Sequence, residues 1–246
     1  MTTLWVFPMA GRGTRTQSMG DFKPFVEVGG KRIIQWFLCS MKDNFSEGDT
    51  LCFITRKQYY SAFNFEREIR SILTCENITN PFSCECAEDS DCDLGQAMTV
   101  YHAKKAIVCS ETVVVANCDQ YISFSPPLPI GENLSFMTVN ADFGSSKSYV
   151  KINGGRIVEI REKENISNIA STGIYGIRHG DHFIWALEKM FSDNLTVNGE
   201  FYVAPSLNYL IKDKNYIIRP VGTSLRLDLG TVGGIDYFQK IMHELA

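Results

Sequence analysis

In the first half of the chain, apolar residues come in short unbroken runs separated by helical spacing; in the second half they alternate with polar ones. Leu4 to Ala10, "LWVFPMA", is continuous and stops at Gly11, the form of a strand buried on both faces. Ile33, Ile34, Phe37, Leu38 and Met41 then recur at helical spacing and give one apolar face. "TLCFIT" reads as a second strand, and "KQYYSAFNFEREIRSIL" after it as a helix. "LGQAMTVYHAKKAI" is a further helix opened by Gly95, and Val113 to Val115 form the clearest buried strand, leading to a polar turn. Strand and helix in alternation predict an α/β fold, a mostly parallel sheet covered by helices on both faces.

Beyond about residue 120 the segments "LSFMTV", "SYVKIN", "RIVEIRE" and "ASTGIYGIR" are short and strand-like. Asn153-Gly154-Gly155 between two of them is a hairpin signal, so mixed or antiparallel strands should lie beside the parallel ones. Phe183, Ile184, Leu187 and Phe191 mark one more helix. "SLRLDLG" predicts a last strand and "GGIDYFQKIMHEL" a helix after it.

A chain of 246 residues, 44% of them apolar, can bury one large core, and one domain is expected. The net charge of −4, without any block of lysine or arginine, argues against an extended nucleic-acid surface. A basic segment leading into a long apolar one is absent from the first residues, and no apolar run approaches the roughly 18 residues of a membrane span. A cytoplasmic protein is therefore expected, with its eight cysteines reduced. Cys75, Cys84, Cys86 and Cys92 lack paired zinc-ligand spacing and read as free thiols in a surface insertion. The aromatics from Tyr59 to Phe82 offer a surface on which a homo-oligomer could assemble.

Positive charge is concentrated after the first strand. Gly11-Arg12-Gly13 begins like a dinucleotide fingerprint, but Thr16 stands where the third glycine belongs and Lys23-Pro24 interrupts the helix. A P-loop is excluded as well, because no Gly-Lys-Ser/Thr closes the loop. What remains is either an ordinary tight turn or a loop whose backbone N–H groups approach phosphate oxygens. Arg15 supplies a planar fork matched to phosphate and Lys23 a compact charge, a combination suited to a triphosphate. Pro24 should press Lys23 into an extended backbone.

The stretch "PMAGRGTRTQSMGDFKPFVEVGGKRIIQW" resembles the signature of the nucleotide-sugar pyrophosphorylases, the sugar-phosphate nucleotidyltransferases. The likeness continues in order through "LGQAMTV", "NCDQYI", "EKENISNIASTGIYGI", "VNGEFYVAPSLNYLI" and "RLDLGT", and is strongest to short bacterial members from capsule or surface-polysaccharide loci. It implies a single Rossmann-like three-layer domain over 1–246, with a mostly parallel mixed sheet and a small antiparallel subsheet on the acceptor side. Residues 1–120 would form the nucleotide-binding half and 121–246 the acceptor-binding half. The implied reaction joins a nucleoside triphosphate to a phosphorylated small molecule and releases pyrophosphate.

By the same likeness, Ala10, Gly11, Gly13, Arg15 and Lys23 would hold the triphosphate, and Gly95, Gln96 and Asn117 the nucleoside. Asp119 and Asp228 would bind Mg²⁺, Lys163 would meet the acceptor phosphate, and Gly173 and Glu200 would line the acceptor pocket. Asn198 and Tyr202 add a hydrogen-bonding group and a ring to that pocket. Arg15, Lys23 and Lys163 are the candidate catalytic residues. Two departures stand out: the opening strand leads to Met9-Ala10-Gly11 where many relatives have a double glycine, and Val232 replaces the usual proline after Asp228-Leu229-Gly230-Thr231.

The chemistry agrees with this assignment on separate grounds. Phosphoryl-type transfer needs alignment and cancellation of negative charge more than covalent work by the protein. Asp119 follows a buried strand and Asp228 ends another, so both can meet at the carboxyl edge of an open sheet. Mg²⁺ is satisfied by one or two carboxylates with phosphates and water. A phosphate monoester is largely dianionic at neutral pH, its second pKa being about 6, so no general base is needed. His102, His179, His182 and His243 show no partner in the sequence, and Cys118 reads as a small packing residue. A nucleotide-binding regulatory protein without turnover and a transferase using a preformed nucleotide sugar are the competing readings. Gln96, which both donates and accepts, does not choose the base.

Overall fold

The computed structural model describes residues 2–12, 20–130 and 134–244. Gly13 and Arg15 lie outside the described residues. One nine-stranded sheet carries the fold, in the order Phe82–Ala87, Thr50–Arg56, Thr3–Pro8, Thr112–Ala116, Ile169–Arg178, Ser135–Ala141, Ile218–Gly222, Arg156–Glu162 and Ser148–Asn153. The first four strands are parallel, and Ile169–Arg178 then runs antiparallel to both its neighbours in that order. The α/β class and the mixed sheet match expectation. The strands of the second half continue the parallel ones without a break, with Ile218–Gly222 parallel to Ser135–Ala141 among otherwise antiparallel pairs.

Both faces of the parallel strands are apolar because both are covered. Leu4, Val6, Cys52, Ile54, Val113 and Val115 face one buried cluster, which includes residues of the helices Gln96–Tyr101, Gly180–Ser192 and Val203–Asp213. Their neighbours Trp5, Phe7, Leu51, Phe53, Val114 and Ala116 face a second, with the helices Ile33–Met41 and Phe65–Cys75. That is a three-layer arrangement, and it explains runs without polar alternation. The hairpin at Asn153 forms as expected, with Gly154 and Gly155 at φ of 55° and 73°, values that glycine adopts without strain. Among the described residues no helix is long and apolar enough to cross a membrane.

A two-stranded ribbon beside the sheet brings distant residues together. Leu225–Asp228 pairs antiparallel with Gln120–Ser123, setting Asp228 opposite Gln120. The next residue, Leu229, donates its N–H to the Asp119 carbonyl at 2.9 Å. The helix Val232–Glu244 packs Ile235 and Phe238 against Val26, Val28 and Ile33 below the ribbon.

Four local expectations are corrected. Lys23 is not extended: Lys23–Phe25 is a 3-10 turn closed by Val26 N–H to the Lys23 carbonyl at 3.1 Å. Tertiary packing overrides the proline bias, because Phe22 lies 4.7 Å from Tyr59 and Phe25 stacks 5.8 Å from Phe65, pinning both ends of the turn. The same cluster takes in Phe63 and Tyr60, so these aromatics are partly buried against the core and not exposed as expected. The helix expected over residues 57–73 is two helices, Lys57–Ala62 and Phe65–Cys75, broken at Asn64 with φ of 47°. Finally, Cys84 and Cys86 lie in the edge strand Phe82–Ala87 and not in an insertion, and all eight thiols are free.

Candidate active site

A cleft of about 940 Å³ opens along the carboxyl ends of the central strands, from Gly11 and Arg12 at one end to Lys147, Lys163 and Tyr202 at the other. Its walls are built from strand endings, tight turns and the short helices Asp89–Asp93 and Gln96–Tyr101. The first strand is prolonged by Met9 N–H to the Ile54 carbonyl at 2.7 Å, and Ala10 is fixed through its carbonyl, which accepts from Arg56 Nε at 2.8 Å. Gly11 and Arg12 follow, exposed at the mouth.

The middle of the cleft is built on Asn117, the first residue past Thr112–Ala116. Its N–H donates to the Gly173 carbonyl at 2.8 Å, and its side-chain oxygen accepts from Gln96 Nε2. Gly173 has φ of 83°, and a β-carbon on it would sit 2.4 Å from Asn117 Nδ2, so a larger residue there would displace Asn117. Gly95 is constrained in the same way. Its φ is 110°, and a β-carbon would lie 2.6 Å from the Phe201 carbonyl oxygen and 3.0 Å from Glu200 Cβ. The two ends of the cleft therefore touch across Gly95. Gly95→Ala is expected to destabilise the chain by about 2–4 kcal/mol, from backbone strain and forced displacement of residues 200–201. Chemical denaturation with the midpoint and slope fitted together checks this, and an unchanged midpoint would contradict it.

The two aspartates converge. Lys23 Nζ donates to Asp119 Oδ2 at 2.5 Å, and that oxygen lies 2.8 Å from where a Gly230 side chain would begin. Asp228 Oδ1 is 3.2 Å from the same point, so both carboxylates border one small space that the missing side chain leaves open. Thr231 Oγ1 donates to Asp228 Oδ2 at 2.6 Å, and Arg226 Nη2 stands 3.8 Å from Oδ1. The convergence comes through the ribbon, with Asp228 outside the main sheet. Cys118 beside Asp119 is buried, and burial together with the Asp119 charge pushes its thiol up to about 12, which leaves it protonated and unsuited to nucleophilic work.

At the far end Lys163 sits at φ of 55°, its N–H bonded to the Lys147 carbonyl at 2.8 Å. Its Nζ donates to the Tyr202 hydroxyl at 2.5 Å and lies 4.6 Å from the ring centroid; the hydroxyl in turn donates to Glu200. Glu162 lies behind them and accepts from Ser148 Oγ. Burial raises its pKa, against the Ser148 hydrogen bond and the Lys163 charge. Lys147 is tied to Asp142, whose carboxyl burial would raise but which Lys147, the Tyr149 hydroxyl and Gly144 N–H hold at about 2.

Of the expected site residues, Ala10, Gly11, Lys23, Gly95, Gln96, Asn117, Asp119, Lys163, Gly173, Glu200, Tyr202 and Asp228 all line this one cleft. Asn198 is not among the lining residues. It is exposed at φ of 54° in the turn where Glu200 N–H bonds to the Val197 carbonyl at 3.1 Å, and the turn explains it. Arg56, Asp93 and Lys147 also line the cleft without belonging to any motif, and Glu162 and Arg226 line it from within "EKENISNIASTGIYGI" and "RLDLGT" without having been singled out there. Arg56 ends an apolar strand and is 2% exposed, and a charge in that position is the one signal that sequence offers for it.

No family model and no curated protein matches the chain. Solved structures match in fold. A nucleoside-diphosphate-sugar pyrophosphorylase from Vibrio cholerae RC9 has a TM-score of 0.78 at 20% identity, over 96% of this chain and 99% of its own. A UDP-glucose pyrophosphorylase complexed with UDP-glucose has a TM-score of 0.76 at 20% identity, over the whole of both chains. An inositol-1-phosphate CTP transferase from T. maritima has a TM-score of 0.72 at 16% identity, over 99% and 95%. The chain thus has the fold of nucleotide-sugar pyrophosphorylases and related nucleotidyltransferases.

Proposed function

We propose that the chain is a nucleotidyltransferase that moves a nucleoside monophosphate from a nucleoside triphosphate to a phosphorylated small molecule, most favourably a sugar phosphate, and releases pyrophosphate. The observation that carries this is the single cleft in which Lys23, Asp119 and Asp228 meet around Gly230 while Lys163 stands at the far side beside Tyr202. Residues 1–246 act in this reading as one nucleotidyltransferase domain, the triphosphate taken by the half before about residue 120 and the acceptor by the half after it.

The residues around Gly230 fit a divalent ion. Two carboxylates border one space, and no third acidic, His or Cys ligand joins them among the described residues, which suits an ion completed by phosphates and water. Asp119 and Asp228 would hold Mg²⁺, whose chemistry there is neutralisation of the triphosphate's charge.

An oxygen of the acceptor phosphate attacks the α-phosphorus. The bond from that phosphorus to the oxygen bridging it to the β-phosphate breaks, and pyrophosphate departs with the bonding pair. Lys163 holds and orients the attacking phosphate; Lys23, and Arg15 in the same stretch, counter the charge that accumulates on the leaving group. The attacking oxygen is already deprotonated, so no side chain has to remove a proton. Gly11 and Gly13 let backbone N–H groups reach the phosphates. Gln96 and Asn117, tied to each other, face the base.

Supply of a surface-polysaccharide precursor inside the cytoplasm is the biological role that fits such a product. Acceptors other than sugars remain in the test panel because Glu162 and Glu200 both border the acceptor end, and carboxylates accept from hydroxyl and ammonium donors alike. The experiment is a matrix of CTP, UTP, dTTP and GTP against sugar, polyol and amino-alcohol phosphates with Mg²⁺, read by pyrophosphate release and product mass. One pair giving pyrophosphate in step with the nucleotide ester is expected. Triphosphate binding with no turnover anywhere in the matrix would favour a regulatory nucleotide-binding protein instead.

A further inference from the structure

Burying a guanidinium carries a large desolvation penalty, and apolar side chains of similar volume commonly stabilise a fold at least as well. Arg56 is nonetheless buried at the end of its strand, and nothing in the transfer reaction requires it. Its partners say what it does. Nε donates to the Ala10 carbonyl at 2.8 Å and Nη2 to Asp93 Oδ1 at 3.1 Å, while Asp89 Oδ1 lies 4.0 Å from Nη1. Arg12 reaches the same carboxylate from the solvent side, through Nε to Oδ1 at 2.9 Å and Nη2 to Oδ2. Asp93 therefore accepts from two guanidinium groups, one buried and one at the mouth of the cleft.

The position of Asp93 gives the triad its consequence. It closes the short helix Asp89–Asp93, and Leu94, Gly95 and Gln96 follow directly. One carboxylate thus joins the start of the glycine loop to the turn that carries Gln96. A nucleoside triphosphate bound in the cleft would span these two pieces of backbone.

We propose that Asp93 is a positioning residue for the nucleoside triphosphate, which by gripping Arg12 and Arg56 together holds the backbone at Ala10 to Arg12 against the base-facing turn at Gly95 and Gln96. A role confined to stability accounts poorly for Arg12, whose side chain is 61% exposed against 39% for Asp93. Exposed pairs contribute little to folding, whereas a bidentate fork fixes direction as well as distance. Backbone held in place at Ala10 to Arg12 before the ligand arrives avoids an ordering cost on association, so the effect should appear in nucleotide affinity.

The inference rests on reading the cleft as a triphosphate site, and the experiment separates the two. CTP, UTP, dTTP and GTP, each with Mg²⁺, are titrated calorimetrically into the full chain, and the tightest binder is used for the variants. Arg12→Met and Asp93→Asn should each weaken binding about tenfold and leave kcat at saturation within about twofold. The double variant should bind no more weakly than either single one, because both remove the same grip. Asp93→Glu, which keeps the charge, should recover most of the affinity. Arg12→Met should melt within about 2 °C of the parent. If Asp93→Asn fails to fold because Arg56 has lost its partner, Arg12→Met alone decides. Binding by Arg12→Met equal to the parent's, or effects that add as independent sites do, overturns the inference and leaves the site standing. A parent that binds none of the four triphosphates overturns both.

Discussion

Asp119→Asn is expected to lower kcat by a factor of about 10² to 10³ at saturating nucleotide and Mg²⁺, about 3–4 kcal/mol of lost transition-state stabilisation. The reason is local. Asp119 Oδ2 accepts from Lys23 at 2.5 Å and faces the space beside Gly230 that Asp228 Oδ1 also borders. An amide keeps the shape and one accepting oxygen but gives up the negative charge, so both the ion's anchor and the counter-charge that sets Lys23 are lost together. Stability should change little, since Asp119 is partly exposed and the Leu229 N–H bonds to its backbone carbonyl, which the substitution leaves in place. Steady-state rates of pyrophosphate release, with melting curves on the same samples, provide the check. A kcat within about fivefold of the parent would show that the charge at residue 119 is not part of the chemistry.

That expectation could be framed from sequence because the features behind it are short-range. A buried strand that stops at a polar turn locates Asp119, and a last strand locates Asp228; what sequence did not reveal is the means of their meeting. They meet through pairing of residues 120–123 with 225–228, a contact across more than a hundred residues that leaves no local pattern. Lys23 is a similar case. The proline after it favours extension, yet Phe22 and Phe25 are drawn into aromatic neighbours from residues 59–65, and the turn tightens between them. Tertiary packing outweighs the local bias.

Asn198 and Asp93 show from two sides how far residue type alone carries. Asn198 has the chemistry to bind a hydroxyl, but asparagine is also among the residues that tolerate a left-handed backbone, and the turn at 197–200 uses it for that. Asp93 belongs to no motif, and only the strand end at Arg56 and the loop at Arg12 give it partners. Carboxylates near a glycine loop are informative in space and mute in sequence. Conversely, Gly95 and Gly173 were visible as glycines, while the reason for them, a β-carbon driven into Phe201 or Asn117, belongs to the assembled cleft.

Lys163→Met should separate acceptor from nucleotide. The methionine retains a β-carbon, so the left-handed backbone at φ of 55° is strained no more than in the parent, and the flexible chain fills the same volume over the Tyr202 ring. What disappears is one ammonium at the acceptor end. Lys147 does not replace it, because its Nζ is committed to Asp142, a carboxylate that is itself fixed by Tyr149 and Gly144. With Glu162 and Glu200 left beside an incoming phosphate dianion and no counter-charge between them, repulsion replaces attraction. The expected result is a fall of about 10² in kcat/KM for the acceptor, with the triphosphate dissociation constant unchanged within about twofold. Removing the ammonium also leaves the Tyr202 hydroxyl donating to Glu200, so the pocket wall stays in place and the loss reads as charge. Equal losses for acceptor and triphosphate would mean that Lys163 supports the cleft as a whole and holds no particular phosphate.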